Sequence, residues 1–193
     1  EETPIDFFAA SAHKFHGPKG VGFCYIRKQS GLKPQIFGGE QERGLRAGTE
    51  SIHNIVGMER ALSLSYNNLN QEKEYIKGLK NYFIKSLKQE IPGISFNGLS
   101  SDLDNSTYTL VNIRLPISAD KATLLQFQLD LQGIACSKGS ACQSGSIGQS
   151  HVLQAILDEA ELQEPSLRFS FGIYNSQDEL DKVVEVLKEF IAS

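Results

Sequence analysis

The sequence is poor in cysteine, in runs of basic residues and in long apolar stretches, and each shortage removes a class of protein. Among 193 residues there are three cysteines, Cys24, Cys136 and Cys142. An odd, low count argues against a disulfide framework and for a reducing, cytoplasmic compartment. No Cys-x-x-Cys pair occurs, and His13, His16, His53 and His151 lack the spacing of a zinc-binding helix. A structural metal site is therefore not expected. The formal net charge is −4 and no Lys/Arg run is present, so the basic face that nucleic-acid binding needs is missing. No apolar stretch reaches the roughly 18 residues that a bilayer-spanning helix requires, so no membrane partner is expected. The chain opens Glu1-Glu2-Thr3-Pro4, without Met, a basic region or an apolar segment; a secretory signal is not expected, and a fragment or processed product is.

With 40% hydrophobic residues, the chain can close one sizeable core or two modest ones. Residues 5–10 read as a short buried strand and 20–27 as a second strand, separated by a polar loop ending in turn residues. Four glycines in the twelve positions 38–49 rule out a comfortable helix or strand and predict unusual backbone angles. A helical pattern begins at Ser51 with Ile52, Ile55, Val56 and Leu62, although Gly57 weakens it. A clearer stripe follows at Ile76, Leu79, Phe83, Leu87 and Ile91, stopped by Pro92-Gly93. Strands are predicted over 94–97, 108–115, 134–137 and 166–171. Helices are predicted over 120–131, capped by Ser118, and over 150–157 and about 177–191. From residue 60 onward this order suits a small sheet covered by helices, a compact α+β layer. Residues 1–50 have too little apolar face to close a core alone and read as the end of something larger.

Four places carry chemistry. In Ser11-Ala-His13-Lys14 a lysine sits beside a hydroxyl and an imidazole. It reads either as a solvated surface lysine or as a nucleophile that forms a Schiff base next to phosphate donors. The stretch 38–49, with Arg43, Arg46 and Thr49, is either a surface loop or an anion site of backbone N–H groups, guanidinium forks and a hydroxyl. In Cys136-Ser-Lys-Gly-Ser-Ala-Cys142 the second cysteine lies in a Gly/Ser loop, where Lys138 can stabilise a thiolate. Cys136 and Cys24 read as small core residues instead. Arg168, in Ser-Leu-Arg-Phe-Ser-Phe-Gly, alternates with Leu167, Phe169 and Phe171. It is either an ordinary ion-pair arginine or a bidentate grip for a carboxylate.

Taken together, these four segments resemble the NifS/IscS-type cysteine desulfurases, class V members of the fold-type I pyridoxal-phosphate enzymes. Ser-Ala-His-Lys-Phe-His-Gly-Pro-Lys-Gly-Val-Gly is similar to the family's cofactor-lysine motif. Gly-Gly-Glu-Gln-Glu-Arg-Gly-Leu-Arg-Ala-Gly-Thr-Glu is similar to its glycine-rich loop, Gly-Ser-Ala-Cys to its catalytic loop, and Ser-Leu-Arg-Phe-Ser-Phe-Gly to its substrate-carboxylate strand. The resemblance implies an α/β fold: residues 1–57 would end the large cofactor-binding domain, and 58–193 would form a small α+β domain carrying the cysteine loop. The whole would be the C-terminal half of the enzyme. It implies pyridoxal 5'-phosphate as cofactor, with Lys14 forming the Schiff base and Ser11 and His13 contacting the phosphate. Thr49 would reach the phosphate of a neighbouring subunit's cofactor, hence a homodimer. Arg168 would hold the carboxylate of L-cysteine, and Cys142 would take the sulfur as a persulfide. That sulfur would pass to an acceptor or scaffold protein for iron–sulfur cluster assembly or related transfer.

Two departures stand out. Lys138 occupies a position where the family often has Ser; it either lowers the Cys142 pKa or is simply solvated. The family's phosphate-cradling loop, ring-stacking histidine and pyridine-pairing aspartate have no counterpart here, so the fragment alone is expected to be inactive. Other readings are a class V aminotransferase or selenocysteine lyase relative, and a non-catalytic partner-binding fragment. An aminotransferase would have no need of Cys142.

Overall fold

A computed structural model of the chain describes residues 3–138 and 150–193. The chain divides into two compact units, 1–69 and 70–193. The boundary anticipated at 57/58 lies within helix α1 (Ile52–Asn67).

In the first unit, β1 (Phe7–Ser11) and β2 (Gly22–Ile26) form an antiparallel ribbon in which Phe7 faces Ile26 and Ser11 faces Gly22. Aromatic side chains favour these strands, and the rings of Phe8 and Phe23 meet at 5.9 Å. Gly22 is required, because a Cβ there would lie 2.3 Å from the Ala10 carbonyl oxygen. The expectation of a buried first strand is corrected: Phe7 and Phe8 point to opposite faces, yet are 53% and 48% exposed. Two strands cannot bury both faces of a ribbon by themselves. The expected core position of Cys24 is corrected for the same reason, since it stands exposed on β2.

Helix α1 meets the turn between these strands. Gly57, which looked like a weakness in the helical pattern, is where Pro18 approaches: a Cβ would lie 2.8 Å from Pro18 Cγ. The Ser65 hydroxyl, which donates to the Ala61 carbonyl at 2.9 Å, also lies 3.4 Å from the Phe15 carbonyl. The predicted stripe is only partly used, with Ile52, Ile55 and Val56 exposed.

The second unit is the α+β layer that the patterning predicts. Strands β3 (Ser95–Phe96), β4 (Leu110–Arg114) and β5 (Ser166–Ser170) form an antiparallel sheet in that order. Helices α2 (Leu69–Glu90), α3 (Ala119–Leu131), α4 (His151–Ile156) and α5 (Gln177–Ala192) accompany it. The α2 stripe is buried along its whole length, against Val111, Ile113, Leu167 and Phe169 of the sheet and Leu180, Val183, Val184 and Leu187 of α5. Phe83 sits at its centre, edge-on to Phe169 at 5.3 Å and to Phe171 at 5.7 Å. Helix α5 starts with a capping box in which Ser176 and Glu179 bond each other's backbone N–H groups. The strand predicted over 134–137 is reduced to one bridge, Ser137 to Arg168.

Alternation puts Leu167 and Phe169 into the core and leaves Ser166, Arg168 and Ser170 on the other face, opposite Arg114, Asn112 and Leu110 of β4. That face is polar by construction. Arg114 binds Glu164 and Glu161 at 2.7 Å each and Asn97 at 3.3 Å. Asn97 in turn donates to Asn112 at 3.0 Å and to Ser166 at 2.8 Å.

Candidate active site

The expected site residues fall into separate local structures. Three of them share one turn. After Ser11 the chain folds into a 3-10 turn, Ala12–Phe15, which carries His13 and Lys14 and is closed by His16 in the left-handed region at φ 66. Buried Ala12 anchors the turn: its N–H donates to Val21 O at 3.0 Å, and its carbonyl accepts from the Gly17 N–H at 2.8 Å. The backbone is thus held at both ends, while the side chains of Ser11, His13 and Lys14 stand exposed. Ser11 occupies the N-cap position, yet its hydroxyl makes no capping bond. An amine, an imidazole and a hydroxyl on one braced turn can offer a nucleophile beside donors to an anion.

The glycine-rich loop has the unusual backbone that its composition predicts. It contains a 3-10 turn, Gln41–Gly44, in which Glu42 (φ 49) and Arg43 (φ 57) are both left-handed. Two bonds cross the loop: Ala47 N–H to Ile36 O at 3.2 Å, and Gly48 N–H to Gln41 Oε1 at 3.0 Å. The Arg46 guanidinium folds onto the adjacent Ala47 carbonyl, so part of its donor fork is spent locally. Arg43 and Thr49 are exposed.

In the second unit, Arg168 lies at the middle of β5. It exchanges backbone hydrogen bonds with Ser137: Ser137 N–H to Arg168 O at 3.1 Å, and Arg168 N–H to Ser137 O at 2.7 Å. Its side-chain Nε is buried and, among the described residues, has no hydrogen-bond partner. Asn112 stands opposite in register, and its Oδ1 accepts from Asn97. A buried guanidinium donor left without an acceptor is costly, and an incoming carboxylate would satisfy it. Cys136, two residues before Lys138, packs against the core; burial pushes its thiol pKa up, partly opposed by the Lys138 charge. That agrees with an inert, protonated thiol. Cys142 lies outside the described residues.

Sequence reasoning missed Gln41, whose sole signal was an amide among glycines. It also missed the Ser137–Arg168 pairing, which joins residues 31 positions apart and leaves no local pattern.

The likeness to solved NifS-like structures gives the class first: this is an α/β chain of the fold-type I transferase architecture. More narrowly, residues 1–183 match the family model described as aminotransferase class-V, and the chain belongs to that family. Among curated relatives it is 39% identical over 192 residues to cysteine desulfurase IscS of Dictyoglomus turgidum, covering 99% of this chain and 47% of that protein. Among solved structures it superposes on a NifS-like protein with a TM-score of 0.79 at 31% identity, covering 97% of this chain and 47% of that one. A structure of SspA in complex with cysteine matches with a TM-score of 0.59 at 31% identity, over 89% of this chain and 45% of that one. The chain spans about half the length of the curated relatives it matches.

Proposed function

We propose that the chain is part of a pyridoxal-phosphate-dependent cysteine desulfurase that takes sulfur from L-cysteine, leaving L-alanine and a Cys142 persulfide. The observation that carries this reading is the buried Nε of Arg168, without a hydrogen-bond partner among the described residues, on the strand residue bonded directly to Ser137. Ser137 begins the segment that leads, five residues on, to Cys142. A carboxylate grip at the root of the cysteine segment is what such a reaction needs.

The donor set on the lysine turn fits the cofactor. The Lys14 amine matches an aldehyde, and the Ser11 hydroxyl and His13 imidazole match a phosphate. When bound, pyridoxal phosphate supplies an electron sink for the pair released at the substrate carbon. Lys14 anchors and carries protons to and from that carbon. Arg168 fixes the substrate by its carboxylate. The Cys142 thiolate attacks the substrate sulfur; the bond from that sulfur to the substrate β-carbon breaks, the β-carbon gains a proton to become the methyl of alanine, and the sulfur stays on Cys142. The persulfide then passes to a thiol of an acceptor or an iron–sulfur scaffold protein, chemistry suited to a reducing cytoplasm.

The apolar, exposed faces of β1 and β2 support a reading in which the intact protein covers them and this piece alone is inactive. Thr49 would hold the cofactor phosphate of the second subunit of a homodimer. The test is sulfide and alanine release from cysteine by the intact protein and by Cys142→Ser. Loss of both products in the variant is expected. Undiminished alanine would refute the nucleophile. Borohydride reduction followed by peptide mapping should mark Lys14, and a labelled peptide lacking it would overturn the anchor.

A further inference from the structure

We infer that Gln41 is a positioning residue that sets Thr49 for its phosphate contact; this rests on the role proposed for Thr49. The glycine-rich loop doubles back on itself through left-handed Glu42 and Arg43, conformations that non-glycine residues keep only when the surroundings hold them. The backbone bond from Ala47 to Ile36 closes the base of the loop. The second closure comes from a side chain: Gln41 Oε1 accepts the Gly48 N–H, seven residues away. Gly48 is itself left-handed at φ 122, and Thr49 follows it directly. Gln41 therefore fixes the amide from which the chain swings Thr49 outward. Without that bond, rotation about Gly48 would cost little, because glycine is free to adopt either sign of φ.

Gly39 belongs to the same device. A Cβ built there would lie 2.5 Å from Gln41 Oε1 and 2.9 Å from its Nε2. Those atoms end a flexible side chain, so the amide can retreat, but only by leaving Gly48. Gly39 has no left-handed φ, so alanine is compatible with its backbone. Gly39→Ala should thus break the clasp without touching Gln41.

The experiment is cofactor retitration of the intact dimeric protein, stripped of pyridoxal phosphate and followed by absorbance. The variants are Gln41→Met, Gly39→Ala, Thr49→Ala and the Gln41→Met/Thr49→Ala pair. Gln41→Met and Gly39→Ala should each raise the apparent Kd about three- to tenfold, the scale of one lost hydrogen bond. Gln41→Met should add nothing once Thr49→Ala is present, because its effect runs through Thr49. An equal penalty with and without Thr49→Ala would overturn the inference and leave Gln41 a general support of the loop. No penalty from either clasp variant would overturn it outright. An unchanged Kd in Thr49→Ala would instead refute the phosphate role of Thr49, and the positioning role would fall with it. Should Gln41→Met not fold, Gly39→Ala, alone and paired with Thr49→Ala, carries the same test.

Discussion

Lys80 is a fully buried cation in the middle of an amphipathic helix, and replacing it tests how the second unit is held together. Its ammonium donates to Ser106 Oγ at 2.7 Å and to the Thr107 carbonyl at 2.8 Å. One helical turn earlier, Lys77 pairs with Asp104 at 2.9 Å, so both lysines grip the loop that leads into β4. Lys80→Met keeps the length of the side chain and removes the desolvation cost of the charge. It also strands the Thr107 carbonyl, whereas the Ser106 hydroxyl keeps its bond to the Asp102 carbonyl. Losing the ammonium's bonds to this half-buried Ser106–Thr107 segment costs ~2 kcal/mol. Lys80→Ala additionally deletes three methylenes at ~0.8 kcal/mol each, for a total of ~4 kcal/mol. With a urea m-value of ~2 kcal/mol/M, the midpoints should fall by ~1 M and ~2 M. Burial also holds the Lys80 pKa below its ordinary 10.5. The unfolded chain therefore binds more protons than the native one just below pH 10.5, so this group adds stability as pH rises through that window. Lys80→Met should abolish that alkaline increment. A Lys80→Met midpoint equal to or above wild type would refute the reasoning, since it would mean that desolvation outweighs the two bonds.

Arg168→Lys should raise KM for cysteine by ~10- to 100-fold, because an ammonium cannot replace the guanidinium fork, while borohydride trapping at Lys14 persists. The Asp102 carboxyl is held down at about 2 by the Asn105 side chain and by the backbone N–H groups of Asn105 and Asp104. Its contribution to stability is full above its ordinary 3.8 and is lost as pH falls toward 2. Asp102→Asn should therefore flatten acid unfolding in that window, as monitored by circular dichroism. Ser176→Ala breaks the capping box of α5 and should cost ~1 kcal/mol in denaturant unfolding.

Much of the second unit was legible because its signals are local. The spacing of Ile76, Leu79, Phe83, Leu87 and Ile91 specifies a helix with one apolar face, and that face is buried. The alternation around Arg168 predicts which side chains leave the core, and they do. The first unit was harder to read. Phe7 and Phe8 carry a strand signal, but hydrophobicity reports a preference for burial and not the presence of something to be buried against. Gly57 looked like a defect because its reason, the approach of Pro18, lies 39 positions away. The Arg168 Nε, which has no hydrogen-bond partner among the described residues, was likewise invisible, because pairing depends on atoms brought together across the sheet.

The sequence by itself determined the helices and most of the strands, the stop at Pro92-Gly93, and the four motif segments and their order, since these rest on side-chain identity and short-range periodicity. Only the tertiary structure decided which polar groups are already satisfied. It bonds Ser137 to Arg168, closes the glycine-rich loop with Gln41 and, among the described residues, leaves the buried Arg168 Nε without an acceptor. Hydrogen-bond satisfaction is a property of atoms brought together from distant positions, and no local pattern encodes it.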